Sequence, residues 1–328
     1  MTLTLFRKPG SKRIGLKILV IGKTGVGKSI FGLTAPKSAV LDSEAGIALY
    51  EDEPEGKNIM LVANTQSYNE LEEAIDDIME NQEEYGIESI IIDSESKFYG
   101  DINQAIMTVE ERKAVKKGGD PLDSNLSIRS YGKIGQIAER LQNFKIDASG
   151  AGINIISIAQ ENDIKKFDKK AGTYEVIGTK PNMKKEAEYD YDIVLTLFKE
   201  GEGEDTKYFA KVGKDRTKVY KAGDVIENPK FSMWDKRTKK MKGKETLGTS
   251  FAKGSERSQE AYREEAAEEE KDAKTKVAEL SVFLKSEGRD EDRARLLKTI
   301  KEDLGVKSLS KMTASQEEKV LALVKEFR

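Results

Sequence analysis

A chain of 328 residues, 35% charged and 37% hydrophobic, holds enough apolar material for one sizeable core plus an appendage. It contains no cysteine and no histidine, which excludes disulfides, zinc ribbons, thiol catalysis and imidazole general bases. The net charge of −3 says little about partners, because its distribution is uneven. No apolar run approaches the roughly 20 residues that span a bilayer, and the N-terminus lacks a signal-type apolar stretch. No membrane partner and a cytoplasmic location are therefore expected.

Residues 1–15 carry Leu3, Leu5 and Phe6, then a basic turn through Arg7, Lys8, Lys12 and Arg13. They read as a frayed terminus or as an oligomerisation arm whose edge strand pairs with a neighbouring subunit. Leu16–Ile21 is a buried strand that runs into Gly22-Lys23-Thr24-Gly25-Val26-Gly27-Lys28-Ser29, of the form G-x-x-x-x-G-K-[ST], followed by Ile30. Its glycines let the backbone close into a nest whose N–H groups point at a polyphosphate. Lys28 supplies a point charge to the β- and γ-phosphates, and the Ser29 hydroxyl is placed to ligate Mg²⁺. With a strand before the loop and a helix after it, the pattern implies a bound nucleoside triphosphate.

That helix is short, because Pro36 stops it within two turns. Strands are expected at Ser38–Asp42, Lys57–Ala63, Ser89–Asp93 and Ile153–Ala159. Tyr68–Glu84 and Ile128–Phe144 have helical apolar spacing, and a polar helical region runs to about Lys117 before Gly118-Gly119-Asp120-Pro121 breaks it. Strands alternating with helices predict an α/β fold around a doubly wound, mostly parallel sheet. A long Lys-rich loop is expected from Glu161 to Glu188. Strands at Asp192–Phe198, Lys207–Val212 and Thr217–Tyr220 then form antiparallel hairpins on the edge. The core spans 16–250. Residues 251–276 are Glu/Ala/Lys-rich and read as a charged linker or solvated helix, and 277–328 carry three amphipathic segments of a small helical module. Ser315-Gln316-Glu317-Glu318 has capping-box form for the last of these.

Ligands of open α/β sheets bind beyond the carboxyl ends of the strands, and Asp42/Glu44, Asp93 and Gln160 all sit at such ends. Asp93 is placed to hold the water shell of Mg²⁺. Glu44, two residues past its strand, is placed to orient and deprotonate an attacking water. Gln160 is placed to sense the γ-phosphate. The combination of a phosphate loop, a strand ending Asp-Ser-Glu, a strand ending Asp-Ser, and a strand ending in Gln before a basic loop resembles the RecA-type P-loop ATPase core. More narrowly it resembles phage-encoded, single-domain RecA-like recombinases and annealing proteins, which are often grouped with AAA-family ATPases. The resemblance implies ATP and Mg²⁺ as cofactors, Glu44 as the catalytic carboxylate, and coupling through Gln160 to a DNA-binding loop at about Glu161–Lys185. It also implies self-association into a ring or filament. Lys211, Lys214 and Arg216 are then the cations that reach a neighbour's ATP site, with Lys214 and Arg216 stabilising the transition state.

Single-stranded DNA is the implied partner. In the loop beyond Gln160, Lys165, Lys166, Lys169 and Lys170 flank Phe167, with Tyr174 nearby, a mixture in which cations track phosphates and rings stack on bases. A second basic stretch, Lys230–Lys244, holds the only Trp, Trp234. The acidic run Glu264–Glu270 reads as linker or as a competitor for the basic surface, and the helical module is a candidate dock for a single-strand-binding protein. The expected activity is DNA-stimulated ATP hydrolysis in recombination. A ring-forming helicase or loader, a small-molecule kinase and a non-catalytic ATP-gated scaffold are the rivals.

Overall fold

A computed structural model describes residues 12–168, 172–241, 244–251, 273–306, 308–309 and 312–327. The arm at 1–11, Lys169 and Lys170, Lys242, the acidic run and most of the linker named above lie outside the described residues. Contacts divide the chain after Gly254 into two compact units.

In the first unit, β1 (Lys17–Gly22), β2 (Ser38–Asp42), β3 (Ile59–Asn64), β4 (Ser89–Asp93), β5 (Asn154–Asp168), β7 (Ile193–Glu200), β8 (Lys207–Asp215) and β9 (Val225–Glu227) form one sheet in the order β3-β2-β4-β5-β1-β7-β8-β9. The run from β3 to β7 is parallel, and β8 and β9 add antiparallel edge strands. The expected fold class is the one observed. Central strands are rich in Ile, Leu and Val and buried at nearly every position because helices or turns cover both faces. The period-two alternation of a strand divides their side chains between those faces. Ile18, Val20, Ile91, Ile156 and Leu195 pack with Phe31 and Trp234 on one face. Ile90, Ile92 and Ile155 pack on the other under α2 (Tyr68–Glu80), α4 (Glu95–Lys116) and α5 (Ile128–Gly150).

Several boundaries move. The expected helix to Glu84 breaks at Asn81 into α2 and a single turn, α3 (Gln82–Tyr85), which Gly86 ends with a left-handed φ of 65°. The expected strand at Thr217–Tyr220 is a turn, wound around the Asp215 carboxylate by N–H donors from Thr217 and Tyr220; the last edge strand is β9 instead. The expected Lys-rich loop is a β-ribbon: β5 continues past Gln160 to Asp168 and pairs antiparallel with β6 (Thr173–Pro181). β-branched and aromatic residues in that stretch carry strand propensity that its lysines masked. Of the expected N-terminal arm, Arg13 bridges Thr246 of its own chain. In the second basic stretch, Phe231–Trp234 is a tight turn before α6 (Asp235–Met241), with Phe231 and Trp234 buried.

The second unit is α7 (Ala273–Ser286), α8 (Asp290–Glu302) and α9 (Ala314–Phe327) around Val277, Leu280, Leu284, Leu296, Ile300, Val320 and Val324. The three expected segments are these helices. The capping box is displaced from Ser315: Thr313 Oγ1 accepts from the Gln316 N–H while Gln316 Oε1 accepts from the Thr313 N–H.

Candidate functional site

The loop Gly22–Ser29 leaves the tip of β1 and enters α1 (Lys28–Leu33). Gly25 and Gly27 adopt φ of 73° and 85°, values at which a Cβ would be strained, so glycine is required where the backbone curls into its nest. Lys28 Nζ donates to the Lys23 carbonyl at 2.7 Å, folded across the concavity that a phosphate fits. Burial lowers the Lys28 pKa against the opposing pull of Asp93, Glu44 and Glu161. Ser29 Oγ donates to Asp93 Oδ2 at 2.6 Å. Burial, partly countered by this hydrogen bond, pushes the Asp93 carboxyl up to about 6, with Glu44 and Asp42 adding to the rise. A hydroxyl and a buried carboxylate short of positive charge are a donor set that fits Mg²⁺, which takes few protein oxygens and keeps substrate phosphates and waters.

The parallel register sets Asp42 level with Asp93, and Gly22 level with Gln160. The Asp42 carboxylate turns back to accept the Glu44 and Ile47 N–H groups, both at 2.9 Å. Asp42 is thus not a group facing the phosphate; it holds the turn that presents Glu44. Glu44 Oε1 accepts from Ser94 Oγ at 3.1 Å and from Gln160 Nε2 at 3.2 Å. Ser43 ties the same corner together: its N–H and Oγ donate to the Asp93 carbonyl, and its Oγ accepts from the Ser94 N–H. Two side chains 116 residues apart in sequence therefore meet beside the nest.

The strand order adds a second observation. β5 lies between the phosphate-loop strand β1 and the Asp93 strand β4, and it carries Gln160 at its exit from the sheet. A family model described as an AAA domain matches residues 14–224, about two thirds of the chain. The chain belongs to the AAA-domain family. Its fold is a mostly parallel α/β sheet with the phosphate loop at the tip of β1. Similar solved structures include a RadB recombinase (18% identity, TM-score 0.39, covering 66% of this chain and 88% of the other). Another is the flagellar accessory protein FlaH of Methanocaldococcus jannaschii (13%, TM-score 0.35, 66% and 85%). A third is a KaiC-like protein of Pyrococcus horikoshii OT3 (11%, TM-score 0.38, 66% and 90%). No curated protein matches in sequence at a significant level. No helix among the described residues of this AAA-domain protein is long and apolar enough to cross a membrane.

Other expected residues of the AAA-domain protein fall elsewhere. β8 runs antiparallel to β7, so Lys214 and Arg216 lie near the level of Ile193, at the end of the sheet away from their own phosphate loop. Lys214 Nζ donates to the Glu188 and Tyr189 carbonyls, and Arg216 Nη2 to that of Tyr189. Lys211 is level with Thr196 and exposed. On the ribbon, Phe167 and Tyr174 are cross-strand partners with ring centroids 5.1 Å apart, both exposed, and Lys165 and Lys166 flank them. Trp234 is fully buried and donates to Asp215 Oδ2, so the second basic stretch offers no aromatic ring for stacking.

Beside Gly25–Gly27, a cavity of about 420 Å³ is lined by Tyr50, Tyr208, Asn228, Pro229 and Ile30. It is an apolar slot with a few polar groups, adjoining the end of the loop where a nucleoside would leave the phosphates. No motif marks it, because its walls come from a turn after β2 and from two late strands. Ser43 and Ser94 were visible only as part of the Asp-Ser strand ends.

Proposed function

We propose that this chain hydrolyses ATP in response to single-stranded DNA and works in phage-type homologous recombination, by annealing or strand pairing. One observation carries the reading: Glu44 and Gln160 converge beside the phosphate nest, and Gln160 begins a cationic, aromatic ribbon. In this reading the nest and Lys28 hold the triphosphate, the slot at Tyr50 and Tyr208 takes the nucleoside, and Glu44 accepts the proton of the attacking water. Ser29, and Asp93 through a water shell, would hold Mg²⁺, which would supply positive charge against the phosphates. Gln160 exchanges its hydrogen bond to Glu44 for one to the γ-phosphate. Glu44 is thereby freed to act as base, and the pull is transmitted into β5 and the ribbon.

Lys214 and Arg216 face away from their own loop, which suits cations offered to the ATP site of the next subunit in a homo-oligomer. Lys165, Lys166, Phe167 and Tyr174 meet DNA, and Lys169 and Lys170 belong to the same proposed contact. The helical module recruits a partner such as a single-strand-binding protein. The test is the ATPase rate with and without single-stranded DNA in wild type, Lys28→Ala and Glu44→Gln. DNA stimulation, lost in both variants while Glu44→Gln still binds ATP, supports the reading. Wild-type hydrolysis by Glu44→Gln refutes it.

A further inference from the structure

Directly after the Asp93 strand come Ser94, Glu95 and Ser96, and each side chain has a different partner. Ser94 Oγ donates to Glu44, and Ser96 Oγ accepts from the Gln160 N–H at 2.8 Å. Between them Glu95 points inward. Its Oε2 accepts from Lys145 Nζ at 2.8 Å and from the Tyr191 hydroxyl at 2.7 Å, and its Oε1 accepts from Gln142 Nε2 at 2.9 Å. Lys145 Nζ also donates to the Tyr191 hydroxyl at 2.7 Å. All four residues are no more than 2% exposed. Lys145 and Glu95 thus form a buried ion pair.

An ion pair wholly out of water is a poor source of stability, since an apolar pair of similar volume is often as good or better. What it does supply is a single permitted geometry, because every donor and acceptor must be met at once. Here the geometry joins distant parts of the sheet. β4, which delivers Glu95, and β7, which follows Tyr191, are separated by β5 and β1. Tyr191 ends the turn whose Glu188 and Tyr189 carbonyls hold Lys214 and Arg216, and the next residue, Asp192, accepts the Arg216 N–H on its carbonyl.

We propose that Glu95, with Lys145 and Tyr191, is a positioning residue: it fixes the hydrolytic corner at Glu44 relative to the edge that bears Lys214 and Arg216. A subunit whose carboxylate serves its own ATP, and whose cations serve its neighbour's, needs those two places held in one frame. The inference rests on the reading of Glu44 as the base.

The decisive variant is Glu95→Gln/Lys145→Met in the full chain, which removes both charges at nearly constant volume. Expected is a kcat lower by on the order of tenfold to a hundredfold, the cost of small misplacements at a reacting centre. The KM for ATP and the Kd of a fluorescent ATP analogue stay within about twofold, and the urea midpoint is equal or higher. A purely structural pair moves the midpoint and leaves kcat per folded molecule alone, and a wild-type kcat overturns the proposal. Should the double variant fail to fold, Tyr191→Phe keeps both charges and the ring and removes only the hydroxyl. A lowered kcat at unchanged KM then supports the proposal, and a wild-type kcat overturns it. Glu44→Gln, measured alongside, separates the two readings. If it hydrolyses ATP normally, the base assignment falls; if it is inactive while the Glu95 and Tyr191 variants match wild type, only the positioning role falls.

Discussion

β5 is one strand with two environments. From Asn154 to Gln160 it lies between β4 and β1, hydrogen-bonded on both sides, with Ile155, Ile156 and Ile158 buried. From Glu161 to Asp168 its only strand partner among the described residues is β6, and Ile164, Phe167, Tyr174 and Val176 are exposed. The first half is held in register by neighbours and by the core, and the second by cross-strand pairs alone. The first half therefore sets stability and places Gln160, while the second leaves its side chains open to solvent and adds little to the fold.

Substitutions in the two halves of β5 and at their junction have different expected costs. The largest effect is expected at the junction itself. Glu44→Gln lowers the ATP turnover rate by about 10²–10⁴-fold while nucleotide binding, followed with a fluorescent ATP analogue, is kept; Lys28→Ala loses both. Within the strand, Ile156→Ala costs about 2–5 kcal/mol in urea unfolding. Ile164→Ala on the ribbon stays within about 1 kcal/mol, as surface changes do. Equal losses at the two sites would mean that the ribbon is part of the core.

The ribbon's own effect shows in binding. Phe167→Ala weakens single-stranded DNA binding by about 1–3 kcal/mol if the ring stacks on a base. Lys165→Ala/Lys166→Ala reduces the salt slope of log K by about 1.4, at roughly 0.7 per phosphate contact on a single strand. Thermal midpoints are unchanged in these variants. A salt slope equal to wild type removes the ribbon from the DNA interface.

The smallest effect expected is electrostatic, at the other side of the nest. The Asp93 carboxyl sits at about 6, above its ordinary 3.8, so protonation favours the folded state. This group's stabilisation is complete below the lower value and lost as pH rises through the upper one. Without nucleotide and Mg²⁺, Asp93→Asn should become progressively more stable than wild type from pH of about 4 to about 6 and above. Mg²⁺ and ATP should reverse that order by binding wild type more tightly. A stability difference independent of pH would place the Asp93 proton elsewhere.

How much of this was legible beforehand depends on whether the signal was local. The phosphate loop, the strand ends at Asp42 and Asp93, and the short helix before Pro36 depend on spacing and backbone preference within a few residues. They stand where the sequence puts them. The ribbon has no such signal, because Ile164, Phe167, Tyr174, Val176 and Ile177 are scattered among polar residues in an exposed hairpin with no buried face. Thr217–Tyr220 looked like a strand on its β-branched and aromatic residues, yet a neighbouring carboxylate capturing backbone N–H groups made it a turn.

The primary structure alone determined that a triphosphate loop sits on an α/β sheet, and which acidic and amide residues stand at the strand tips. Only the folded chain decided that Glu44, Ser94 and Gln160 share one corner, that Asp42 serves the backbone instead, and that Glu95, Lys145 and Tyr191 form a sealed network. Spacing along a chain specifies local geometry, whereas contacts between residues far apart in sequence are set by strand order and register. Those in turn follow from which apolar faces can be buried together.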